Sequence, residues 1–122
     1  MAKKKILVID DDSTIRDLLK KLLELNDYTV DTADNGQLGF EKAVTEDYDL
    51  VTMDIKMPQW NGIEAIGGLE IVKPDLKILV ISGFLSEFEN QKIDSAPNVL
   101  KLLAKPFNIK DAIAEIDKIL NK

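Results

Sequence analysis

ILVIDDDSTIRDLLKKLLEL, residues 6–25, contains the change of period that decides the fold. Ile6 to Ile9 form an unbroken apolar run, as in a strand covered on both faces. From Ser13 the rhythm becomes helical, with Ile15, Leu18, Leu19, Leu22 and Leu23 at i, i+3, i+4, i+7 and i+8. Asp12 is placed to cap that helix. A strand that runs within a few residues into an amphipathic helix opens a βα unit, the building block of parallel sheets.

Outward from this stretch the alternation repeats, giving five strand–helix pairs. Strands are expected at Ile6–Asp10, Thr29–Ala33, Asp49–Asp54, Lys77–Ser82 and Val99–Ala104. The first, third, fourth and fifth are nearly continuous in Ile, Leu, Val and Met, which predicts cover on both faces. The second, Thr-Val-Asp-Thr-Ala, alternates and predicts an edge. The last helix is expected over Ile109–Leu120, where Ile109, Ile113, Ile116 and Leu120 share a face. Two weaker helices are expected: one opens at Gly62 and contains Gly67 and Gly68, each costing about 1 kcal/mol against Ala. The other, Ser86–Asp94, has few apolar positions, and both are expected to be mobile. The fold class is α/β, a doubly wound five-stranded parallel sheet. No repeat, linker or low-complexity tract interrupts it, and with the chain ending after its last helix no output domain is expected.

Composition agrees. At 122 residues, 45% hydrophobic and 31% charged, the chain fits one globular domain that buries roughly two-thirds of its unfolded surface. No run is long enough for a signal peptide or membrane span, so a cytoplasmic protein is expected. The net charge of -6 disfavours nucleic acid or an anionic membrane as partner and favours a cationic ligand. The chain has no Cys and no His. That excludes disulfides, thiolate nucleophiles, thiolate or imidazole metal sites and histidine acid–base chemistry, leaving carboxylates, lysines and hydroxyls. Any phosphohistidine must belong to a partner.

In an open parallel sheet the binding crevice lies beyond the carboxyl ends of the strands. Asp10 and Asp11 end the first expected strand, Asp54 the third and Ser82 the fourth, while Lys105 follows the fifth. Right-handed crossovers put strands one and three side by side, bringing three carboxylates within several ångströms. At 4 Å and an effective dielectric near 20, one such pair costs up to about 4 kcal/mol, so the cluster calls for a counter-cation or raised pKa values. An all-oxygen donor set points to Mg²⁺, with Mn²⁺ as a substitute. The ion would leave room for a phosphate oxygen; Lys105 would supply a second positive contact and Ser82 a hydrogen bond, while one carboxylate attacks phosphorus.

Blander readings stand beside these. Consecutive aspartates before a helix are often caps, and Asp12 is read as one. Met57, Pro58 and Gly62 form a loop entering a helix with Asn61 as N-cap. Lys56 can be simply solvated, and Trp60 is either a docking aromatic or a cover for the loop.

The combination of Leu-Val-Ile-Asp-Asp-Asp-Ser-Thr-Ile-Arg at 7–16, Met-Asp-Ile-Lys-Met-Pro-Gln-Trp-Asn-Gly at 53–62, Ser82-Gly83 and Lys105-Pro106-Phe107 resembles the response-regulator receiver domain of two-component signalling, chemotaxis-regulator-like and of the single-domain type, over essentially the whole chain, 1–122. The resemblance implies the flavodoxin-like (βα)5 order 2-1-3-4-5. It implies that Asp10, Asp11, Asp54 and the backbone carbonyl of Lys56 bind Mg²⁺. It also implies that Asp54 takes the phosphoryl group from a histidine kinase or histidine phosphotransfer protein, with Ser82 and Lys105 contacting phosphate. The product would be a monomeric signalling protein that catalyses only its own phosphorylation and dephosphorylation, and that switches a downstream protein or relays phosphate onward. Leu102 occupies the switch position often held by Tyr or Phe, which puts aromatic gating in doubt, and Ser-Ala-Pro-Asn at 95–98 replaces the usual Gly-Ala. Ile15, Pro106 and Phe107 border the site as docking residues, although Ile15 and Phe107 read equally well as packing residues.

Two other functions compete. Asp10, Asp12 and Thr14 also spell the Asp-x-Asp-x-Thr motif of a haloacid-dehalogenase-type Mg²⁺ phosphatase with Asp10 as nucleophile, which would leave Asp54 and its Met-Pro and Gly unexplained. A receiver that only docks partners without being phosphorylated is the third reading, although every catalytic position is filled.

Overall fold

The computed structural model describes residues 3–57, 60–83 and 85–121; Pro58, read above as part of a loop, lies outside them. Five strands form one sheet: β1 (Lys5–Ile9), β2 (Thr29–Ala33), β3 (Leu50–Met53), β4 (Ile78–Ser82) and β5 (Val99–Ala104). Every pairing between them is parallel and the order is β2-β1-β3-β4-β5. The intervening helices are α1 (Ser13–Leu25), α2 (Gly36–Thr45), α3 (Gly62–Val72), α4 (Glu87–Asp94) and α5 (Ile109–Leu120). A two-residue antiparallel pair, Lys56–Met57 with Trp60–Asn61, folds the loop between β3 and α3 back on itself.

The sheet is the middle of three layers. Ile6, Val8, Leu50, Leu79 and Ile81 face Leu19 and Leu23 of α1 and Ala112, Ile116 and Leu120 of α5. On the other face Leu7, Ile9, Val51, Met53, Ile78 and Val80 meet Ala43, Ala65, Ile66, Leu69 and Ile93 of α2, α3 and α4. Successive side chains of one strand thus serve opposite layers, which is why β1, β3 and β4 lack polar alternation. Sidedness also fixes the crevice: β1 leads to α1 on one face and neighbouring β3 leads to α3 on the other, so connections diverge between them.

The helix starts are set by short polar side chains. Asp12 accepts from the N–H groups of Thr14 and Ile15, Asn35 from Leu38, and Asn61 from Ile63 and Glu64. Ser86 and Glu89 form a capping box on α4. Thus Asp12 and Asn61 cap as expected, and Ser86 is a cap, one residue outside the helix.

Two features differ from the sequence reading. β5 is not covered on both faces: it is the outer strand of the sheet, flanked on one side only among the described residues, and leaves Leu100 50% exposed and Lys101 and Ala104 exposed. α2, the second helix of the five expected pairs, differs in having bounds that no named sequence segment marked. Its glycines mark close contacts: a Cβ on Gly36 would lie 2.1 Å from the Trp60 ring, and one on Gly39 2.6 Å from Ile9. No helix among the described residues is long and apolar enough to cross a membrane.

Candidate functional site

The carboxyl edge of the sheet holds the predicted residues within one crevice. The β-ladder continues one residue past β1 and β3, with the Asp10 N–H donating to the Ala33 carbonyl at 3.2 Å and the Asp54 N–H to that of Ile9 at 3.1 Å. This holds both aspartates rigidly at the edge, and both are buried, 3% and 4% exposed. Ser82 closes β4 and is fully buried; its carbonyl accepts the Lys105 N–H at 2.7 Å, placing Lys105 directly after β5.

Lys105 links the two aspartates. Its Nζ is 2.9 Å from Asp54 Oδ2 and 3.1 Å from Asp10 Oδ2. Asp54 Oδ1 accepts from the Lys56 N–H at 3.0 Å and from Ser82 Oγ at 3.3 Å. Asp10 Oδ1 accepts from the Asp12 N–H at 2.9 Å, and the Asp10 carbonyl accepts from the Arg16 guanidinium at 2.9 Å. Burial pushes the Asp10 carboxyl above the usual aspartate range, against the hydrogen bonds from Asp12 and Lys105. Burial alone would lower Lys105, but bonds and charge from Asp54 and Asp10 outweigh it and hold the ammonium above its ordinary value.

Asp11 is exposed at the mouth. One carboxylate oxygen from each of Asp10, Asp11 and Asp54 falls within 4.8 Å of the others. Three carboxylates against one contacting ammonium leave an excess of negative charge, in a donor set made only of oxygen. These residues fit a hard divalent cation of the Mg²⁺ class that retains part of its water shell.

The remaining residues are also placed. Lys56 is not simply solvated: its ammonium is 2.8 Å from Glu89 on α4. Trp60 covers the loop, its ring over Gly36 and 6.1 Å from that of Phe40. Leu102 is half-buried against the α2–α4 layer, and Ile15 and Phe107 against the α1–α5 layer. Together with exposed Pro106 and Leu18 and half-buried Ile109, Ile15 and Phe107 line an apolar depression of about 400 Å³ that reaches Lys105. The docking and packing readings of Ile15 and Phe107 are therefore compatible. Asp12, which the phosphatase reading needs beside Asp10, is exposed and spends its carboxylate on capping α1. Arg16 and Glu89, which sequence reasoning did not select, enter through tertiary contacts; an Arg one turn into α1 carries no spacing signal of its own.

Residues 6–117 match the model of the response regulator receiver domain. The chain is 40% identical over 117 residues to the response regulator receiver protein CpdR of Brucella abortus, covering 96% of this chain and 97% of that protein. It is 34% identical over 118 residues to the transcriptional regulatory protein CpxR homolog of Haemophilus influenzae, covering 97% of this chain but 51% of that protein. The chain thus spans about half the length of relatives of that second kind. Among solved structures, a CheY-like receiver domain protein from Methanospirillum hungatei superposes with a TM-score of 0.91 at 29% identity, covering 98% of this chain and 94% of that one. The response regulator TrrA from Thermotoga maritima, in complex with Mg(2+)-BeF, does so with a TM-score of 0.81 at 33% identity, covering 96% and 99%.

Proposed function

We propose, from the premise that this chain belongs to the response regulator receiver domain family, that residues 1–122 act as one receiver unit whose phosphoacceptor is Asp54. The observation that carries the assignment is the arrangement around Asp54: Lys105 on one oxygen, Ser82 and the Lys56 N–H on the other. A carboxylate so held is ready for attack, and groups that now bind its oxygens can move to those of an incoming phosphoryl group.

Receiver domains accept phosphate from histidine kinases or phosphotransfer proteins and bind Mg²⁺ at their aspartate cluster. In this chain the attacking group is an Asp54 oxygen; its bond to phosphorus forms as the phosphorus–nitrogen bond of the partner's phosphohistidine breaks. Lys105 then contacts a phosphoryl oxygen and Ser82 donates its hydroxyl to another. Asp10, Asp11, Asp54 and the Lys56 carbonyl would hold Mg²⁺, or Mn²⁺ in its place, which supplies charge neutralisation at the phosphate. The apolar depression of Ile15, Pro106 and Phe107 is the surface for the partner's histidine-bearing helix, since it opens beside Lys105. The chain works in the cytoplasm as a monomer, catalyses its own dephosphorylation, and passes its state to a downstream protein or relays the phosphate. Leu102 offers no ring to rotate, so readout proceeds without aromatic gating.

The solved Mg(2+)-BeF complex of TrrA suggests the test. Beryllofluoride with Mg²⁺, a mimic of the acyl phosphate, should change Trp60 fluorescence saturably in the wild type and leave Asp54→Asn unchanged. Equal responses from both proteins would remove Asp54 from the role.

A further inference from the structure

α3 and α4 are separated by a groove of about 830 Å³, away from the Ile15–Phe107 depression. Its floor is apolar, from Ile63, Ile66, Ile93 and Ala96, and its outer rim carries Phe88, 64% exposed with Lys92 Nζ 5.4 Å from the ring centroid. An aromatic left this open at the edge of an apolar groove has the character of a contact residue.

Gly67 is the telling residue. It lies inside α3, where glycine is the second-worst helix former after proline. The described residues do not require it: a Cβ there would meet nothing among them within 4 Å. Its neighbour differs, since a Cβ on Gly68 would come within 3.2 Å of Phe40. Gly67 also lacks the left-handed backbone that would demand glycine. What it does provide is a bare stretch of helix backbone on the groove wall, open to close approach by another chain. Charge adds a direction. Glu64 and Glu70 line the same wall, and among the described residues neither has an ion-pair partner. Glu64 favours the helix from its first turn, but Glu70 sits in the last turn, where an acid opposes the macrodipole.

We propose that the α3–α4 groove docks an amphipathic helical segment of another protein, with small and apolar residues laid over Gly67 and Phe88 and Lys or Arg toward Glu64 and Glu70. An 11-residue α3 offers about 16 Å of wall, enough for roughly three helical turns. A second copy of this chain is the poorer occupant because both copies carry a charge of -6.

The test uses the full chain and a labelled model helix of leucine and lysine, with a leucine–glutamate helix as its counterpart. Amide shifts of the protein should move along α3 and α4 on adding the basic helix only. Gly67→Leu should weaken binding about tenfold or more, while Gly67→Ala should raise the Tm by about 3–5 °C because the fold gains a better helix former. Shifts outside the groove, unchanged affinity in Gly67→Leu, a lower Tm in Gly67→Ala, or self-association of the chain through the groove would each overturn the proposal.

Discussion

Lys56 Nζ lies 2.8 Å from Glu89 Oε1, the same oxygen that accepts the Ser86 N–H at 2.9 Å. The loop that follows Asp54 is thereby joined to the first turn of α4 through one carboxylate oxygen. The contact lowers the Glu89 carboxyl below its ordinary value, the bond from Lys56 being the largest cause.

Glu89→Gln keeps an acceptor for the Ser86 N–H but loses the charge; Glu89→Ala loses both. Amide exchange in α4 should rise slightly in the first and clearly in the second, with α1 and α5 unaffected. Because the folded pKa is depressed, this contribution is present above the ordinary glutamate value of 4.5 and is lost as pH falls through the folded value. Protection of α4 in both variants equal to that of the wild type at neutral pH would show that the joint holds nothing.

Lys105→Met removes the ammonium shared by Asp10 and Asp54 and leaves two buried carboxylates facing each other. The variant should lose about 2–3 kcal/mol of stability in metal-free buffer. Mg²⁺ should then raise its Tm more than that of the wild type, since the ion supplies the missing charge. Thermal melts with and without Mg²⁺ check both effects; a smaller Mg²⁺ shift in the variant would contradict the shared-charge account.

Gly36→Ala should cost about 1–3 kcal/mol by overpacking, because its Cβ would sit 2.1 Å from the Trp60 ring. Denaturant unfolding followed by Trp60 fluorescence reports the loss and the displacement of the ring together. Near-wild-type stability would mean that Trp60 moves aside at no cost.

Both tyrosines are buried at 6% and 9% exposure. Burial, then the bond donated to Asp117, pushes the Tyr28 hydroxyl up to about 12, and burial with the bond to Asp31 pushes Tyr48 up as well. Raised folded values stabilise the fold fully below the unfolded pKa near 10, and this is lost as pH rises through the folded values. Phenolate absorbance should therefore be absent from the native protein at pH 10 while the unfolded chain is half titrated. Phenolate in the folded state at that pH would refute the burial argument.

Much of this was legible because periodicity is local. α1 and α5 span Ser13–Leu25 and Ile109–Leu120 as their apolar stripes predict, and the rule that crevices follow strand ends brought Asp10, Asp54, Ser82 and Lys105 to one edge. The half-exposure of β5 was not legible, since an outer strand with Leu100, Leu102 and Leu103 has the composition of an inner one. Nor were the bounds of α2, whose Gly36 and Gly39 are explained only once Trp60 and Ile9 are seen against them. The Lys56–Glu89 bridge joins residues whose proximity only the folded chain creates. Gly67 was read as a helix weakness, and the structure adds that no packing among the described residues explains it.

The measurement closest to the central claim is intact mass after incubation with acetyl phosphate and Mg²⁺. The wild type should gain the mass of one phosphoryl group, Asp54→Asn should gain none, and Asp10→Asn should gain it slowly if at all. Labelling that persists in Asp54→Asn and vanishes in Asp10→Asn would contradict the account and move the nucleophile to Asp10.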